Sequence, residues 1–138
     1  MMNESRFTAL AERYMDMVYR IALNALGSAA DAEDVTQNVM LRLYRSDPDF
    51  ESEEHARRWL IRVAVNESKR LAGLPWKKRE ASLEEVLNAS AEEDDLQKSL
   101  IRKVAGLPPK YRVAMYLYYF EGYSVKAVKF GKTVVEVE

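Results

Sequence analysis

The stretch that decides the fold is Ser28–Leu71, with the sequence SAADAEDVTQNVMLRLYRSDPDFESEEHARRWLIRVAVNESKRL. Its apolar residues recur at intervals of three and four, which predicts two amphipathic helices. Between them, Ser46-Asp47-Pro48-Asp49 breaks the pattern, because proline disfavours a helical conformation in the residue before it. The first helix is acidic at its start, and the second, at about 53–72, is basic along its length. We therefore expect two helices with chemically different faces, joined by a short polar loop.

Another helical pattern precedes this stretch, over residues 4–26, and Gly27 is well placed to end it in a left-handed conformation. Ser28 and Ser52 can cap the starts of the two helices that follow, and Gly73 can end the basic one. The residues expected to face a common core are Phe7, Leu10, Ala11, Tyr14, Val18, Ile21, Ala22 and Ala25, then Ala32, Val35, Val39, Leu43 and Tyr44, then Ala56, Trp59, Leu60, Val63, Ala64 and Leu71.

The rest of the chain predicts a linker and a second helical unit. Pro108-Pro109 breaks one helical pattern, and Pro109 suits the first turn of the next helix, Lys110–Glu121. Residues 132–138 alternate β-branched and charged side chains, which is typical of a strand. The predicted fold is all-α, with an N-terminal helical bundle over residues 1–74, an acidic linker over residues 75–95 and a C-terminal unit over residues 96–138.

Composition excludes several kinds of site. The chain has 138 residues, of which 48% are hydrophobic, so a globular core is expected. The absence of cysteine excludes disulfides and thiolate metal sites, and the single histidine, His55, excludes a histidine-rich metal site. Carboxylates alone could still hold Mg²⁺ or Ca²⁺. No apolar run has the length of a signal peptide or a membrane span, so we expect a soluble, cytoplasmic protein without membrane insertion.

The net charge of −1 hides a segregation of charge along the chain. Residues 57–79 carry eight basic side chains against Glu67 alone, whereas residues 80–100 carry seven acidic side chains against Lys98 alone. A basic block followed by an acidic one suggests a surface for a polyanion with a tether behind it. Two solvated helix faces would give the same pattern, and charge alone does not separate these interpretations.

Motifs for catalysis are missing from the sequence. There is no P-loop, dinucleotide-binding glycine pattern, zincin motif or nucleophile elbow. Carboxylate pairs such as Glu84 and Glu85 lie in polar, linker-like sequence, where no burial would shift their pKa values toward catalysis. We expect a protein that is not an enzyme and that needs no cofactor or metal.

Three stretches resemble the extracytoplasmic-function sigma factors, the small promoter-specificity subunits of bacterial RNA polymerase. Asp31–Tyr44 is similar to the core-binding helix of the family, and Glu53–Arg70 to the helix that melts and reads the promoter minus-ten region. Leu107–Lys126 resembles the start of the minus-thirty-five-binding domain. The resemblance implies core RNA polymerase, promoter DNA and an anti-sigma factor as partners.

The resemblance also implies a contact between the acidic helix and the clamp helices of the polymerase β′ subunit. Leu41 is an apolar residue between polar neighbours, which suits a partner contact. Family members commonly have glutamate where this chain has Asn38, so that contact is expected to be weaker here. The residues implied are Asp34, Gln37, Asn38, Leu41 and Arg42.

The basic helix would face DNA, with basic side chains on phosphates and an amide on a base edge. The loop Ser46–His55 would correspond to the segment that captures an extruded base of the melted strand. An ordinary polar role near a helix start is the alternative for His55, and packing in the core is favoured over base stacking for Trp59. The DNA-binding residues implied are Ser52, His55, Arg58, Arg62, Asn66, Lys69 and Arg70.

The C-terminal unit departs from the family pattern. Ser124 and Lys126 match the start of its helix-turn-helix, but Ala127 replaces an acidic residue and no recognition helix follows. We expect a truncated domain with impaired minus-thirty-five recognition, and an apolar stripe, Val113, Leu117 and Phe120, that loses part of its cover. The remaining residues would be poorly ordered or would cover that stripe.

Two functional hypotheses follow from these residues. In the first, the protein is a transcription initiation factor that binds core polymerase and melts the minus-ten region. In the second, it is a remnant or decoy that binds core polymerase or an anti-sigma factor without initiating. A helical enzyme or a binding module of another family is a third possibility, which a bound cofactor or metal would favour.

Overall fold

The computed structural model of the chain describes residues 1–73 and 106–123, and these residues form four α-helices. They are α1 (Glu4–Leu26), α2 (Ala29–Ser46), α3 (Glu53–Ala72) and α4 (Pro109–Phe120). The all-α prediction is confirmed for this part of the chain. The linker 75–95, the helix-turn-helix residues Ser124 and Lys126, and the strand-like pattern at 132–138 lie outside the described residues.

The helices begin at the residues that the sequence marks as caps. The Ser28 hydroxyl accepts a hydrogen bond from the backbone N–H of Asp31 at 3.2 Å, and the Ser52 hydroxyl accepts one from that of His55 at 3.0 Å. Each of these bonds satisfies an N–H that has no partner within the helix. Gly27 ends α1 with φ 68°, a left-handed conformation that glycine adopts without steric cost. These cap predictions are confirmed.

The core lies where α1, α2 and α3 meet, and α1 contacts both of the other helices. Ile21, Val39 and Leu60, one from each helix, are fully buried. The predicted core residues Phe7, Tyr44, Trp59 and Leu71 are only partly buried and pack around its edge. The prediction missed Ile61 and Val65 of α3, which are also buried.

α4 packs against α1, so the described part of the C-terminal unit joins the N-terminal bundle. Val113 and Leu117 are fully buried, so the expectation that this stripe loses part of its cover does not hold at these two residues. Burial of two aliphatic side chains is worth several kcal/mol, of the order of 1.5–3 kcal/mol each. Phe120, at the end of the stripe, stays 37% exposed.

Arg112 of α4 stabilises the packing of α4 against α1 through hydrogen bonds. Its side chain is fully buried and donates hydrogen bonds to the backbone carbonyls of Asn24 and Leu107, the first at 2.7 Å. Asn24 lies in the last turn of α1, where carbonyl groups lack partners within the helix. A guanidinium near the C-terminus of a helix also interacts favourably with the helix dipole. Arg112 therefore caps α1 from another part of the chain.

Among the described residues, no helix has the length and apolar content needed to cross a membrane. Within residues 1–73 and 106–123, no cluster of three or more histidine or carboxylate side chains is placed to hold a metal ion.

Candidate functional site

The outer side of α2 carries the residues expected to contact polymerase. Side chains separated by three, four and seven positions share one side of a helix. All five side chains expected to contact polymerase are exposed, and the side chain of Leu41 is 45% exposed. The opposite side of α2 contains Val35 and Val39, which are buried in the core. The residues of this polymerase-facing side are Asp34, Gln37, Asn38, Leu41 and Arg42.

An open groove between α1 and α2 adjoins this side. It has a volume of about 740 Å³, and Gln37 lines it together with Met15 of α1. Met15 is 42% exposed, so its side chain is open to a partner that enters the groove. Glu12 and Glu33 also line the groove, which gives it an apolar floor with acidic groups beside it. Such a groove suits a partner helix with apolar and basic side chains.

Three of the DNA-binding candidates on α3 are exposed, namely Arg62, Asn66 and Arg70. Arg62 and Asn66 lie one turn apart, so their side chains share a side of the helix. No hydrogen bond or ion pair joins either side chain to another residue in the part of the chain that the structure describes. Both side chains can therefore reach a ligand without giving up an internal contact.

The other basic candidates on α3 are engaged within the protein. Arg58 is half-buried, and its Nη1 lies 3.7 Å from Oε2 of Glu54. Lys69 is half-buried, and this desolvation lowers the pKa of its ammonium, with a further contribution from the charge of Lys110. Since Lys110 belongs to α4, the C-terminal helix influences the basic side of α3.

Arg70 is exposed but hydrogen-bonds to Glu67 through two nitrogens, at 3.0 and 3.1 Å. These bonds hold the pKa of the Glu67 carboxyl below its usual range, although burial of that carboxyl acts in the opposite direction. Arg42 of α2 also approaches Glu67, at 3.8 Å. Glu67 therefore lies between the polymerase-facing side of α2 and the basic side of α3.

The loop between α2 and α3 has a defined structure. His55 Nδ1 accepts a hydrogen bond from the backbone N–H of Glu51 at 3.0 Å. The Phe50 ring makes edge contacts with His55 and with Trp59, at centroid distances of 5.3 and 5.8 Å. Trp59 packs against the core, in agreement with the role favoured from the sequence. His55 and Ser52 thus shape the loop and the start of α3 through internal hydrogen bonds.

The residues that follow α4 contact the start of α3. Arg57 donates hydrogen bonds to the backbone carbonyl and the carboxylate of Glu121, the latter at 2.8 Å. The Tyr123 hydroxyl donates to Glu54 at 2.8 Å, and the Arg57 guanidinium lies 4.7 Å from the centroid of the Tyr123 ring. Sequence reasoning missed these contacts because their members are more than sixty positions apart along the chain.

Comparisons with known proteins match the part of the chain that forms this site. Residues 10–72, which include all of α2 and α3 and most of α1, match the family described as Sigma-70 region 2. The ECF RNA polymerase sigma factor SigW of Bacillus subtilis is 24% identical over 89% of this chain and 75% of its own length. The ECF RNA polymerase sigma factor SigE of Mycolicibacterium smegmatis is 29% identical over 86% of this chain and 50% of its own length.

Proposed function

We propose that the chain is an extracytoplasmic-function sigma factor that acts in transcription initiation, docks on core RNA polymerase through α2 and captures the melted minus-ten strand with α3. The match of residues 10–72 to Sigma-70 region 2 and the similarity of most of the chain to two ECF sigma factors support this proposal. The observation that carries this proposal is the exposure of five adjacent polymerase-facing residues on a helix whose other side is buried in the core. A rigid helix with one free side presents its contacts without a cost of ordering.

Docking would use the apolar and polar residues of that side together. Leu41 supplies apolar area at the centre, and Gln37 and Asn38 supply hydrogen-bond donors and acceptors next to it. Asp34 lies toward the start of α2 and suits a basic group of the polymerase clamp. A central apolar anchor with polar groups around it is the usual arrangement of an energetically important contact.

Strand capture would use the exposed end of the basic side and the adjacent loop. Arg62 can contact phosphate, and Asn66 can pair with a base edge through its amide. An extruded base would enter the loop 47–52, where contacts must recover the few kcal/mol that unstacking costs. The polymerase would perform the chemistry of RNA synthesis, so the protein itself needs no catalytic group.

A second candidate function is a decoy that binds core polymerase or an anti-sigma factor without initiating. The internal ion pairs of Arg57, Arg58 and Arg70 favour it, because these guanidinium groups are already occupied. Impaired minus-thirty-five recognition remains a proposal from the sequence, since Ser124 and Lys126 lie outside the described residues.

The test is reconstitution of the full-length protein with core polymerase, followed by transcription from genomic fragments. We expect a stable complex and specific initiation from a subset of fragments. The variant Arg62→Ala/Asn66→Ala should assemble as well as the wild type but open these promoters poorly. Assembly of the wild-type protein without any specific transcription would favour the decoy, and failure of the folded protein to assemble would contradict both functions.

A further inference from the structure

Arg6, in the first turn of α1, reaches the loop between α2 and α3. Its Nη1 lies 2.7 Å from Oδ1 of Asp47, and its Nη2 donates a hydrogen bond to the backbone carbonyl of Pro48 at 2.9 Å. The guanidinium also lies 5.6 Å from the centroid of the Phe50 ring. One side chain from another helix therefore contacts three of the four residues at the start of the loop.

The loop contains a backbone conformation that needs support. Asp47 has φ 43°, the only positive φ of a non-glycine residue among the described residues. The left-handed region is uncommon for residues with a side chain, although aspartate tolerates it better than most. The backbone N–H of Asp47 closes α2 on the carbonyl of Leu43, and its carboxylate is the group that Arg6 binds. Arg6 therefore holds the chain at the point where it leaves α2.

The contacts of Arg6 continue toward α3 through aromatic rings. Phe50, which lies beside the guanidinium, contacts both His55 and Trp59. His55 in turn accepts a hydrogen bond from the N–H of Glu51. Movement of the Arg6 side chain would free Phe50 and, through it, the segment in which His55 lies.

We propose that Arg6 is a positioning residue that holds the loop 47–50 in the shape required to receive an extruded base. The inference rests on the proposed function, because it assumes that this loop meets the melted strand. A loop that is ordered before binding avoids the entropy cost of ordering in the complex. Arg6 lies before residues 10–72, so it is outside the range that matches the Sigma-70 region 2 family.

A direct contact between Arg6 and a phosphate would be a different role, and salt dependence separates the two. Loss of one phosphate contact to single-stranded DNA lowers the slope of log affinity against log salt by about 0.7. Loss of a positioning residue leaves the slope unchanged and lowers the discrimination between the preferred strand and other strands.

The experiment uses the full-length protein bound to core polymerase and fluorescent single-stranded oligonucleotides. One oligonucleotide carries a minus-ten strand selected from a random pool with the wild-type complex, and the other carries the same bases scrambled. The variants are Arg6→Gln, Asp47→Asn and both together. Arg45→Gln is the control, because Arg45 is an exposed arginine in the last turn of α2, close to the loop in sequence.

We expect Arg6→Gln to weaken binding of the selected strand about three- to tenfold, with an unchanged salt slope and little effect on the scrambled strand. Asp47→Asn should act in the same direction, the double variant should be little worse than either single one, and Arg45→Gln should bind as the wild type. An equal loss on both strands, a lower salt slope or no loss at all would overturn the positioning role.

A second measurement reports on the loop without DNA. In a Trp76→Phe background, Trp59 is the remaining tryptophan, and its ring contacts Phe50. Arg6→Gln should increase quenching of Trp59 fluorescence by acrylamide, and unchanged quenching would contradict the inference. If Arg6→Gln increases this quenching but the wild-type complex selects no strand from the random pool, Arg6 positions the loop, and the proposed function fails together with the role in base capture.

Discussion

The outer side of α2 and the basic side of α3 carry polar residues on the same small bundle, but they differ in how far those residues are already engaged. On α2, Leu41 and its neighbours point away from the core and are exposed. On α3, Arg58 and Arg70 contact carboxylates of the same helix, and Lys69 is half-buried. The first side is therefore open to a partner except at Arg42, which approaches Glu67, whereas a ligand that takes Arg58 or Arg70 of the second side must compete with internal ion pairs.

This competition has a physical consequence for DNA binding. A phosphate that takes Arg70 must leave Glu67 with fewer hydrogen bonds, and Glu67 is a buried carboxylate. A buried charge that loses partners costs free energy. Contacts with Arg62, which is exposed, carry no such cost. The basic side of α3 should therefore bind DNA less tightly than its number of charges suggests.

The largest effect is expected from a substitution on the exposed side of α2. Leu41→Asp replaces the apolar side chain at the centre of the exposed side with a charge that the partner must desolvate. We expect binding to core polymerase to weaken at least about tenfold, or about 1.4 kcal/mol, with no loss of folding stability. A titration of labelled protein with core polymerase measures the first quantity, and thermal unfolding measures the second.

Tyr119→Asp is the matched control for that experiment. Tyr119 is another large apolar side chain on the surface, 53% exposed, and it lies on α4. If polymerase binds through α2, this variant should bind as the wild type. Equal losses in both variants would mean that the effect of Leu41→Asp is not specific to the polymerase-facing side.

A smaller effect is expected from removal of the Glu67 carboxylate, which binds Arg70 of the same helix. Glu67→Gln keeps the shape of the side chain but removes its charge, so its hydrogen bonds with Arg70 become weaker. We expect a loss of about 1 kcal/mol in the free energy of unfolding, the size of an ordinary hydrogen bond, because the Arg70 side chain is exposed to water. DNA binding should become tighter, because Arg70 is freed for phosphate, and tightening that fails to appear would contradict the competition.

The pH dependence of the same variant follows from the lowered pKa of Glu67. A carboxylate whose pKa is lowered by folding stabilises the protein above its pKa in the unfolded chain, which is about 4.3. This stabilisation is lost as pH falls from that value through the lower pKa of the folded state. The difference in unfolding free energy between wild type and Glu67→Gln should therefore be full at pH 7 and narrow progressively in acid.

The sequence predicts much of α1, α2 and α3 because local rules determine them. Helix starts at Ser28 and Ser52 follow from capping chemistry, and the exposed position of Leu41 follows from the 3.6-residue period. The engagement of Arg70 by Glu67 could have been predicted from their spacing of three. The approach of Arg42 to the same carboxylate could not, because it depends on how two helices pack.

The packing of α4 lies beyond what sequence patterns show. Ile61 and Val65 lie one and two turns after Arg57, on the side of α3 where Glu121 is bound, and their burial widens the apolar side of the helix. Arg112 looks like a surface residue in the sequence, but it caps α1 from a distant position. A periodicity argument does not identify the carbonyl that Arg112 binds, because Asn24 and Arg112 lie on opposite sides of the linker in the sequence.

A further prediction sharpens the contrast between exposed and engaged arginines on α3. Arg62→Ala should lower the salt slope of single-strand binding by about 0.7, which amounts to roughly threefold in affinity between about 50 and 200 mM salt. Arg70→Ala should lower it less, because Glu67 already neutralises that guanidinium. Equal slopes for the two variants would show that DNA displaces Glu67 without difficulty.

The smallest effect concerns the contact between α4 and the start of α3. Tyr123→Phe removes the hydroxyl that donates to Glu54 at the exposed edge of that contact. A hydrogen bond that water can replace contributes little, so we expect a loss of a few tenths of a kcal/mol, below the usual 0.5–1.5 kcal/mol. Tyr116→Phe is the comparison, because the hydroxyl of the buried Tyr116 donates a hydrogen bond to Glu121 at 2.6 Å. Removal of this hydroxyl leaves the Glu121 carboxylate with fewer hydrogen-bond partners. Chemical denaturation should rank Tyr116→Phe as the more damaging variant, and the reverse order would mean that the contact of α4 with α3 depends on its exposed edge rather than on its buried part.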